Sequence, residues 1–183
     1  MNFSELVRSF ESYTGVKGEV ENSDLSEWFN EAQLDLSLYF GPIKTTEPLT
    51  PVSGVLSPPV DTIKIIEIQG NGEEISYRKT GGGQIYVGTD QPVSIVYRAM
   101  PDPAHVFDPG NPDPDREPDL PFAIHYLLAL YATAMYWYRE SEGDTEEMNL
   151  ANFWLAKYNA GISKFIKLMD RAGDDIDHWV VIE

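Results

Sequence analysis

Residues 119–138 read DLPFAIHYLLALYATAMYWY, and the eighteen residues that follow the initial Asp-Leu carry no formal charge. An apolar stretch of this length is typical either of a membrane span or of a helix that other elements surround on every side. His125, the tyrosines spread along the stretch, the acidic flanks and the lack of a basic cluster argue against a membrane span. The stretch therefore predicts the central helix of a bundle, which begins at Pro121 and ends near Gly143.

The composition is strongly acidic. Among 183 residues, 30 Asp and Glu stand against 13 Lys and Arg, which gives a formal net charge of −17. Such a charge repels phosphate groups, so adhesion to nucleic acid or to an anionic membrane is disfavoured and a basic protein partner is favoured. The chain has no Cys, which excludes disulfides, thiolate metal sites and cysteine nucleophiles. The N-terminal residues lack the pattern of a secretion signal, so the expected compartment is the cytoplasm.

Apolar residues recur at intervals of three and four in three further segments, which predicts three more helices. The first is expected to end at Gly15, and the last at Gly173. The second is expected to be capped by Asp24, with Glu27 three residues later, and to stop at Gly41-Pro42. Their apolar faces consist of Phe3, Leu6, Val7, Phe10 and Tyr13, then Leu25, Trp28, Phe29, Ala32, Leu36, Tyr39 and Phe40, and finally Ala151, Leu155, Tyr158, Ile162, Phe165 and Met169.

Between residues 52 and 101 the apolar period changes to two, which is typical of β-strands. The alternating segments are TIKIIEIQ, EEISYRK, GQIYVG and VSIVYRAM. Short turn signals between them, among them the glycine run at residues 81–83, predict an antiparallel meander of four strands. The glycine run opens no helix and lacks the Lys-Ser/Thr of a phosphate loop, so a nucleotide site is disfavoured.

Together these patterns predict an α+β fold in a single domain that spans residues 1–183. Residues 1–41 and 119–173 are expected to form a helical bundle, made of the N-terminal helices and a C-terminal helical hairpin. A small antiparallel β-sheet is expected as an insertion at residues 52–101. Residues 102–118 are expected to be a loop, and residues 174–183 a C-terminal arm.

The loop at residues 102–118 is acidic and rich in proline, and it shows no apolar period. Its carboxylates raise the alternative of a calcium site, but their order and the prolines do not match an EF-hand loop. A solvated, extended linker is the favoured interpretation. Because unpaired carboxylates are costly to bury, its acidic residues are expected to stay outside the folded core. The residues concerned are Asp108, Asp113, Asp115 and Glu117.

No pattern for catalysis, metal or cofactor binding is present in the sequence. His105, His125 and His178 fall in a loop, a helix and the tail, without the paired spacing that would hold a metal. There is no nucleophile elbow, and carboxylates are so frequent that no pair of them stands out. His125 is expected to be a hydrogen-bonded core histidine. Trp28, Trp137 and Trp154 lie on apolar helix faces and are expected to pack in the core.

The C-terminal half resembles that of the head–tail connector, or adaptor, proteins of tailed bacteriophages. In that family an acidic residue and Leu-Pro precede a helix rich in Ala and Tyr, and a break with acidic residues is followed by a helix with an aromatic residue and then a Tyr. The two N-terminal helices and the strand-rich insertion also fit the family, although the insertion is larger than its smallest members need. The matching residues here are Asp119, Leu120, Pro121, Tyr131, Ala132, Phe153 and Tyr158.

The resemblance implies a structural protein of the virion neck, assembled in the host cytoplasm, and no enzyme. Members form a ring, commonly of twelve copies, that docks on the portal protein, extends the DNA channel and receives the tail or a stopper protein. The acidic residues of the 102–118 loop would face this channel or solvent, and DNA would pass without sequence-specific binding. Another phage neck or tail-completion protein and an unrelated acidic α+β protein-binding module remain as alternatives.

Two groups of residues are expected to make protein contacts in such an assembly. The first group lies on the helical hairpin, where its side chains would pack helices together or face a neighbouring copy: Tyr131, Trp137, Trp154 and Tyr158. The second group forms the C-terminal arm, which would attach to the portal or to another copy: Trp179, Val180, Val181 and Ile182. Val-Val-Ile is β-prone but too short to form a sheet alone, so the arm needs a partner.

Overall fold

The computed structural model describes the backbone of residues 1–172 and the side chains of residues 1–169. Its α+β architecture confirms the expected fold class, with four α-helices and small antiparallel sheets inserted between the second and third helix. Within the described residues the chain divides into two compact units where a single domain was expected. Residues 1–40 and 101–172 form the helical unit, and Gly41–Met100 forms the β unit.

Helix α1 spans Phe3–Thr14 and has the boundaries that the sequence predicts. Asn2 and Glu5 form a capping box at its start, because each side chain accepts a hydrogen bond from the other residue's backbone N–H. Gly15 adopts the left-handed conformation, with φ of 76°, and its N–H donates to the carbonyl of Glu11. The expected stop signal is therefore confirmed.

Helix α2 spans Asn22–Phe40 and begins two residues before Asp24, so the expectation that Asp24 caps it is wrong. Asp24 lies in the first helical turn, where its carboxylate forms an ion pair with Arg139. A carboxylate at this end of a helix is also stabilised by the macrodipole, which removes the need for the capping conformation. The helix ends before Gly41-Pro42, as expected.

Helix α3 spans Tyr126–Glu140 and is preceded by a short 3-10 turn at Phe122–Ile124. The expectation that Pro121 lies inside the first helical turn is wrong, because its ψ of 131° is not helical. The chain instead folds back so that the ring of His125 reaches the carbonyl oxygen of Leu120, at 2.7 Å from Nε2.

Helix α4 spans Thr145–Ala172, and its expected stop at Gly173 lies outside the described residues. It packs along α3 as the predicted hairpin. The two helices approach closely at Gly161, where a Cβ atom would clash with the side chain of Leu127.

The β unit holds seven short strands in two sheets, so the expected meander of four strands is wrong. The first sheet has the order β1-β7-β3-β4, with β1 at Ile43–Thr45, β3 at Thr62–Gly70, β4 at Glu73–Glu74 and β7 at Ser94–Ala99. The second has the order β2-β6-β5, with β2 at Val55–Leu56, β5 at Arg78–Lys79 and β6 at Ile85–Tyr86. Strands that are neighbours in sequence therefore often pair with distant ones.

The core of the β unit lies where β3 and β7 pair antiparallel, and Ile65 faces Tyr97 while Ile68 faces Ile95. β1 begins at Ile43, which places the start of this unit ahead of the expected residue 52. β1 and β2 could not be predicted from the sequence, because strands of two or three residues are too short to show a period of two. In the segment EEISYRK only Glu73–Glu74 and Arg78–Lys79 are strands. Between these strands Ile75 and Tyr77 pack against the core of the β unit.

No helix among the described residues is long and apolar enough to span a membrane.

Candidate assembly surface

Helix α3 is covered by the other helices of its own chain. It contacts α1, α2 and α4, and along its length only Arg139 and Glu140 are exposed. Its large buried side chains belong to one apolar cluster that also includes Phe10, Phe29 and Ile162. The absence of formal charge from residues 121–138 is therefore explained within one chain. Any contact with another copy has to use the outer faces of α1, α2 or α4 or the loops.

Two of the four hairpin residues expected to make helix or protein contacts, Tyr131 and Tyr158, link the hairpin to α2. The Tyr158 hydroxyl, on a side chain only 2% exposed, donates to the carboxylate of Asp35 at 2.6 Å. The Tyr131 hydroxyl donates to Glu31 at 3.2 Å, nearer the surface. The two rings meet edge to face, with centroids 5.3 Å apart. Both tyrosines thus hold three helices of one chain together.

The environment keeps both hydroxyls protonated. Burial, with the hydrogen bond and negative charge of Asp35 added to it, raises the pKa of Tyr158 far above its ordinary value. Burial and the neighbouring Glu31 raise the pKa of Tyr131 to about 12. Each tyrosine is therefore a neutral donor to a carboxylate at physiological pH.

The other two, Trp137 and Trp154, are partly buried against the same apolar cluster. The ring of Trp154 contacts that of Tyr13 of α1, with centroids 5.2 Å apart. The ammonium group of Lys157 lies over the indole ring, 4.4 Å from its centroid. Trp137 meets Tyr136 at 5.0 Å, and its indole nitrogen has no hydrogen-bond partner among the described residues. The expectation that these tryptophans pack in the core is met in part, since neither is fully buried.

Residues 102–118, named here the acidic strap, are folded against the helical unit, so the expectation of a solvated extended linker is wrong. Phe107 is fully buried, and its ring lies 5.2 Å from that of Phe3 and 6.1 Å from that of Phe29. The adjacent pair Val106-Phe107 in an acidic, proline-rich segment gives no periodic signal, which is why sequence reasoning missed this anchor.

Two amide side chains of α2 hold the backbone of the strap. Asn30 accepts from the N–H of Phe107 at 2.9 Å and donates to its carbonyl at 2.8 Å, as a neighbouring peptide group would. Gln33, only 1% exposed, donates to the carbonyl of His105 at 3.4 Å and accepts from the N–H of Asp119 at 3.1 Å. Sequence reasoning missed both residues, although a buried amide on an apolar helix face signals a partner.

The four strap residues expected to stay outside the core are exposed: Asp108, Asp113, Asp115 and Glu117. The Asp108 carboxylate accepts from the N–H of Gly110 at 2.9 Å, and that of Asp113 from the N–H of Asp115 at 3.0 Å. These two aspartates thus shape turns in the strap, and Asp115 and Glu117 offer carboxylates that no turn requires. The anchored strap thus carries these exposed carboxylates outside the core of the helical unit.

The two hydrogen bonds between the Asn30 side chain and the Phe107 backbone, named here the clamp, should stabilise the fold measurably. We expect Asn30→Ala to lower the free energy of unfolding by about 1–2 kcal/mol, because it leaves the N–H and carbonyl of Phe107 without partners in a half-buried site. Urea denaturation measures this loss. The control is Glu27→Ala on the exposed face of the same helix, for which a change within about 0.5 kcal/mol is expected. Equal effects of the two substitutions would contradict the clamp.

The two histidines that the structure describes, His105 and His125, each have a separate structural contact. His125 is a hydrogen-bonded core residue, as expected: its Nδ1 lies 2.8 Å from the amine of Met1, and burial lowers its pKa, so the neutral ring donates from Nε2 to Leu120. His105 contacts the carbonyl of Glu117 at 2.9 Å, and His178 lies outside the described residues. Within residues 1–169 no three acidic or histidine side chains are placed to hold a metal ion.

Two open depressions lie on the β unit, and neither includes a carboxylate or an imidazole in its lining. Their linings are Leu49, Thr50, Val52, Val55, Leu56, Ser57 and Gln84 in one, and Ser76, Tyr77, Arg78, Tyr86, Val87 and Gly88 in the other. Acid–base chemistry has no evident place in either.

The expected C-terminal arm, Trp179, Val180, Val181 and Ile182, lies outside the described residues. No protein-family model matches the chain, and no curated protein matches it. The proposal for function therefore rests on the geometry of the helical unit, on the acidic strap and on the resemblance of the hairpin sequence to connector proteins.

Proposed function

We propose that the chain is a head–tail connector of a tailed bacteriophage. Copies of it form a ring beneath the portal protein, extend the DNA channel and offer a surface to the tail or to a stopper protein. The observation that carries the proposal is the order of elements: two helices, a β-rich insertion, and then a long helical hairpin introduced by Asp119-Leu120-Pro121. This order resembles that of connector proteins over most of the chain.

The charge of the chain supports the proposal. A channel that DNA must traverse should not bind phosphates, and carboxylates meet this requirement because they repel the DNA backbone. The strap provides exposed carboxylates on a segment that Phe107, Asn30 and Gln33 hold in place. In the proposed ring this surface faces the channel.

The resemblance supplies further parts of the proposal. The ring has twelve copies, the C-terminal arm attaches to the portal or to a neighbouring copy, and the protein resides in the neck of the virion after assembly in the host cytoplasm. The protein has no catalytic role.

The position of the gene in its genome tests the proposal. A connector gene should lie beside portal and capsid genes, whereas a place in a metabolic operon would contradict the assignment.

Reversing the charge of the strap should impede DNA passage. We expect Asp115→Lys with Glu117→Lys to lower the infectivity of assembled particles by at least about tenfold, because lysines in the channel would bind passing phosphates. These two residues are chosen because no turn of the strap depends on their carboxylates. Plaque counts per particle measure the effect.

The matched control is Glu19→Lys with Glu21→Lys, which changes the net charge equally at exposed residues outside the strap. We expect this pair to leave infectivity nearly unchanged. Normal infectivity of the strap variant in particles of normal composition would show that the strap does not face the channel.

A further inference from the structure

The outer face of α2 combines acidic and apolar residues. Glu27, Glu31, Leu34 and Leu38 follow one another at intervals of four, three and four, so they lie on one side of the helix. All four are exposed, and for Leu34 and Leu38 the exposed fractions are 50% and 47%. Leucines exposed to this degree at adjacent turns are an unusual feature of a free surface, because they form a continuous apolar strip next to charges.

The outer face of α4 combines basic and apolar residues. Phe153, 51% exposed, lies beneath the Lys157 ammonium group, which is 4.3 Å from the ring centroid. Ala160 and Lys164 continue the same side of the helix and are exposed. Residues 148–169 contain three lysines and no acidic residue, in a chain whose acidic residues outnumber the basic ones 30 to 13. This helix therefore carries a local positive face on an acidic protein.

Two pairs of positions on these faces match in spacing, one apolar and one of opposite charge, whereas Leu34 falls opposite Lys157 in the same register. Leu38 and Glu27 are eleven residues apart, and so are Phe153 and Lys164. At the rise of an α-helix this separation is roughly 16 Å on both helices. An antiparallel alignment thus places Leu38 against Phe153 and Glu27 against Lys164 at the same time. Glu31 then lies opposite the small Ala160, between Lys157 and Lys164.

We propose that the outer face of α4 in one copy docks antiparallel on the outer face of α2 in a second copy of this chain. The two faces differ, so each contact leaves one face free on each copy, and repetition yields a ring or a filament rather than a closed dimer. The proposal deepens the proposed function, on which the closure into a ring rests; the helix–helix contact itself rests on the charges, the exposed apolar side chains and the spacing.

A charge swap tests the predicted pairing of Glu27 with Lys164. Lys164→Glu and Glu27→Lys are each expected to weaken self-association about tenfold, because each places like charges opposite one another. The double variant restores opposite charges and should recover most of the wild-type affinity. Sedimentation velocity measures the association, and circular dichroism confirms that each variant is folded. Lys17→Glu, an exposed site between α1 and α2, is the matched control and should associate normally.

Cysteine cross-linking tests the alignment directly, since the wild-type chain has no Cys. Leu38→Cys and Phe153→Cys are made as separate proteins, mixed and oxidised. We expect a disulfide-linked dimer of the two variants, well in excess of the dimers that either variant forms alone. Leu38→Cys mixed with Ser12→Cys, an exposed site on α1, is the control and should give no such excess.

Two results would overturn the contact. One is a wild-type protein that stays monomeric up to about 100 µM, which is above the dissociation constant expected of a specific interface. The other is an assembly in which the charge swap shows no recovery and the mixed cysteine variants show no excess cross-link. Neither result bears on whether the protein occupies the neck of phage particles, so a failure of this contact and a failure of the connector assignment are distinguishable.

Discussion

Phe107→Ala is expected to lower the free energy of unfolding by about 3–5 kcal/mol, the usual loss for a fully buried phenylalanine. The side chain has no exposed surface and contacts the rings of Phe3 and Phe29, which join α1 and α2 to the strap. Removing the ring leaves a cavity where these three elements meet. Urea denaturation followed by circular dichroism measures the loss.

Val106→Ala is the matched control, because Val106 precedes Phe107 in the strap and is 37% exposed. We expect it to change stability by less than about 0.5 kcal/mol, as surface substitutions usually do. A loss of less than about 1 kcal/mol for Phe107→Ala, comparable with the loss for the control, would show that the strap is not anchored in the core.

Tyr158→Phe is expected to cost about 1.5–3 kcal/mol at neutral pH, the range for a hydrogen bond to a charged group. The substitution keeps the ring and removes only the hydroxyl that donates to Asp35 at 2.6 Å. Tyr131→Phe is the control, because its hydroxyl bonds to Glu31 near the surface at 3.2 Å, and a smaller loss is expected. Equal losses would contradict the assignment of Tyr158 as the buried link between α4 and α2.

The same substitution should change the response to alkaline pH. Burial and Asp35 raise the pKa of Tyr158 in the folded protein, whereas the unfolded chain releases the proton near its ordinary value. The contribution of this group to stability is therefore complete below about pH 10 and falls as pH rises, by at most about 1.4 kcal/mol per pH unit. We expect Tyr158→Phe to decline less steeply than the wild type between about pH 10 and 11.5, and parallel curves would contradict this.

The helices could be predicted from the sequence because each repeats its apolar residues over several turns. The central helix, the hairpin and the stop at Gly15 all follow from such repeats or from a residue with one conformational role. The start of α2 and the start of α3 could not, since Asp24 pairs with Arg139 and His125 contacts the amine of Met1, and both partners are distant in the sequence. A helix boundary set by a distant side chain has no local signal.

The β unit and the strap show the same limit. β1 pairs with β7, about fifty residues away in the sequence, and each strand of the second sheet has only two residues, so neither length nor period reveals them. The strap is held by the ring of Phe107, by two amides of α2 and by backbone hydrogen bonds from Phe3 and Ser4 of α1. The exposure of its acidic residues could be predicted, because burial of unpaired charge is costly. Its anchorage could not, because Phe107 belongs to no periodic apolar pattern in the sequence.

Among the candidate site residues, the sequence identified Tyr131 and Tyr158 as packing residues but not their carboxylate partners on α2. It also predicted a central helix surrounded on every side, and the other helices of the same chain contact α3. The outer faces of α2 and α4 were not predicted, because an apolar stripe identifies the buried side of a helix and says nothing about its exposed side. The signal was present, since Leu34 and Leu38 fall outside the apolar stripe of α2 and the lysines cluster on α4.

The connector assignment is tested most directly by immunogold electron microscopy of tailed particles produced from the genome that encodes this chain. Antibodies against the protein should label the junction between head and tail, and label should also appear on portal-bearing heads that lack tails. Label confined to the tail tip or the capsid surface would contradict the assignment, and so would particles of normal appearance that contain none of the protein.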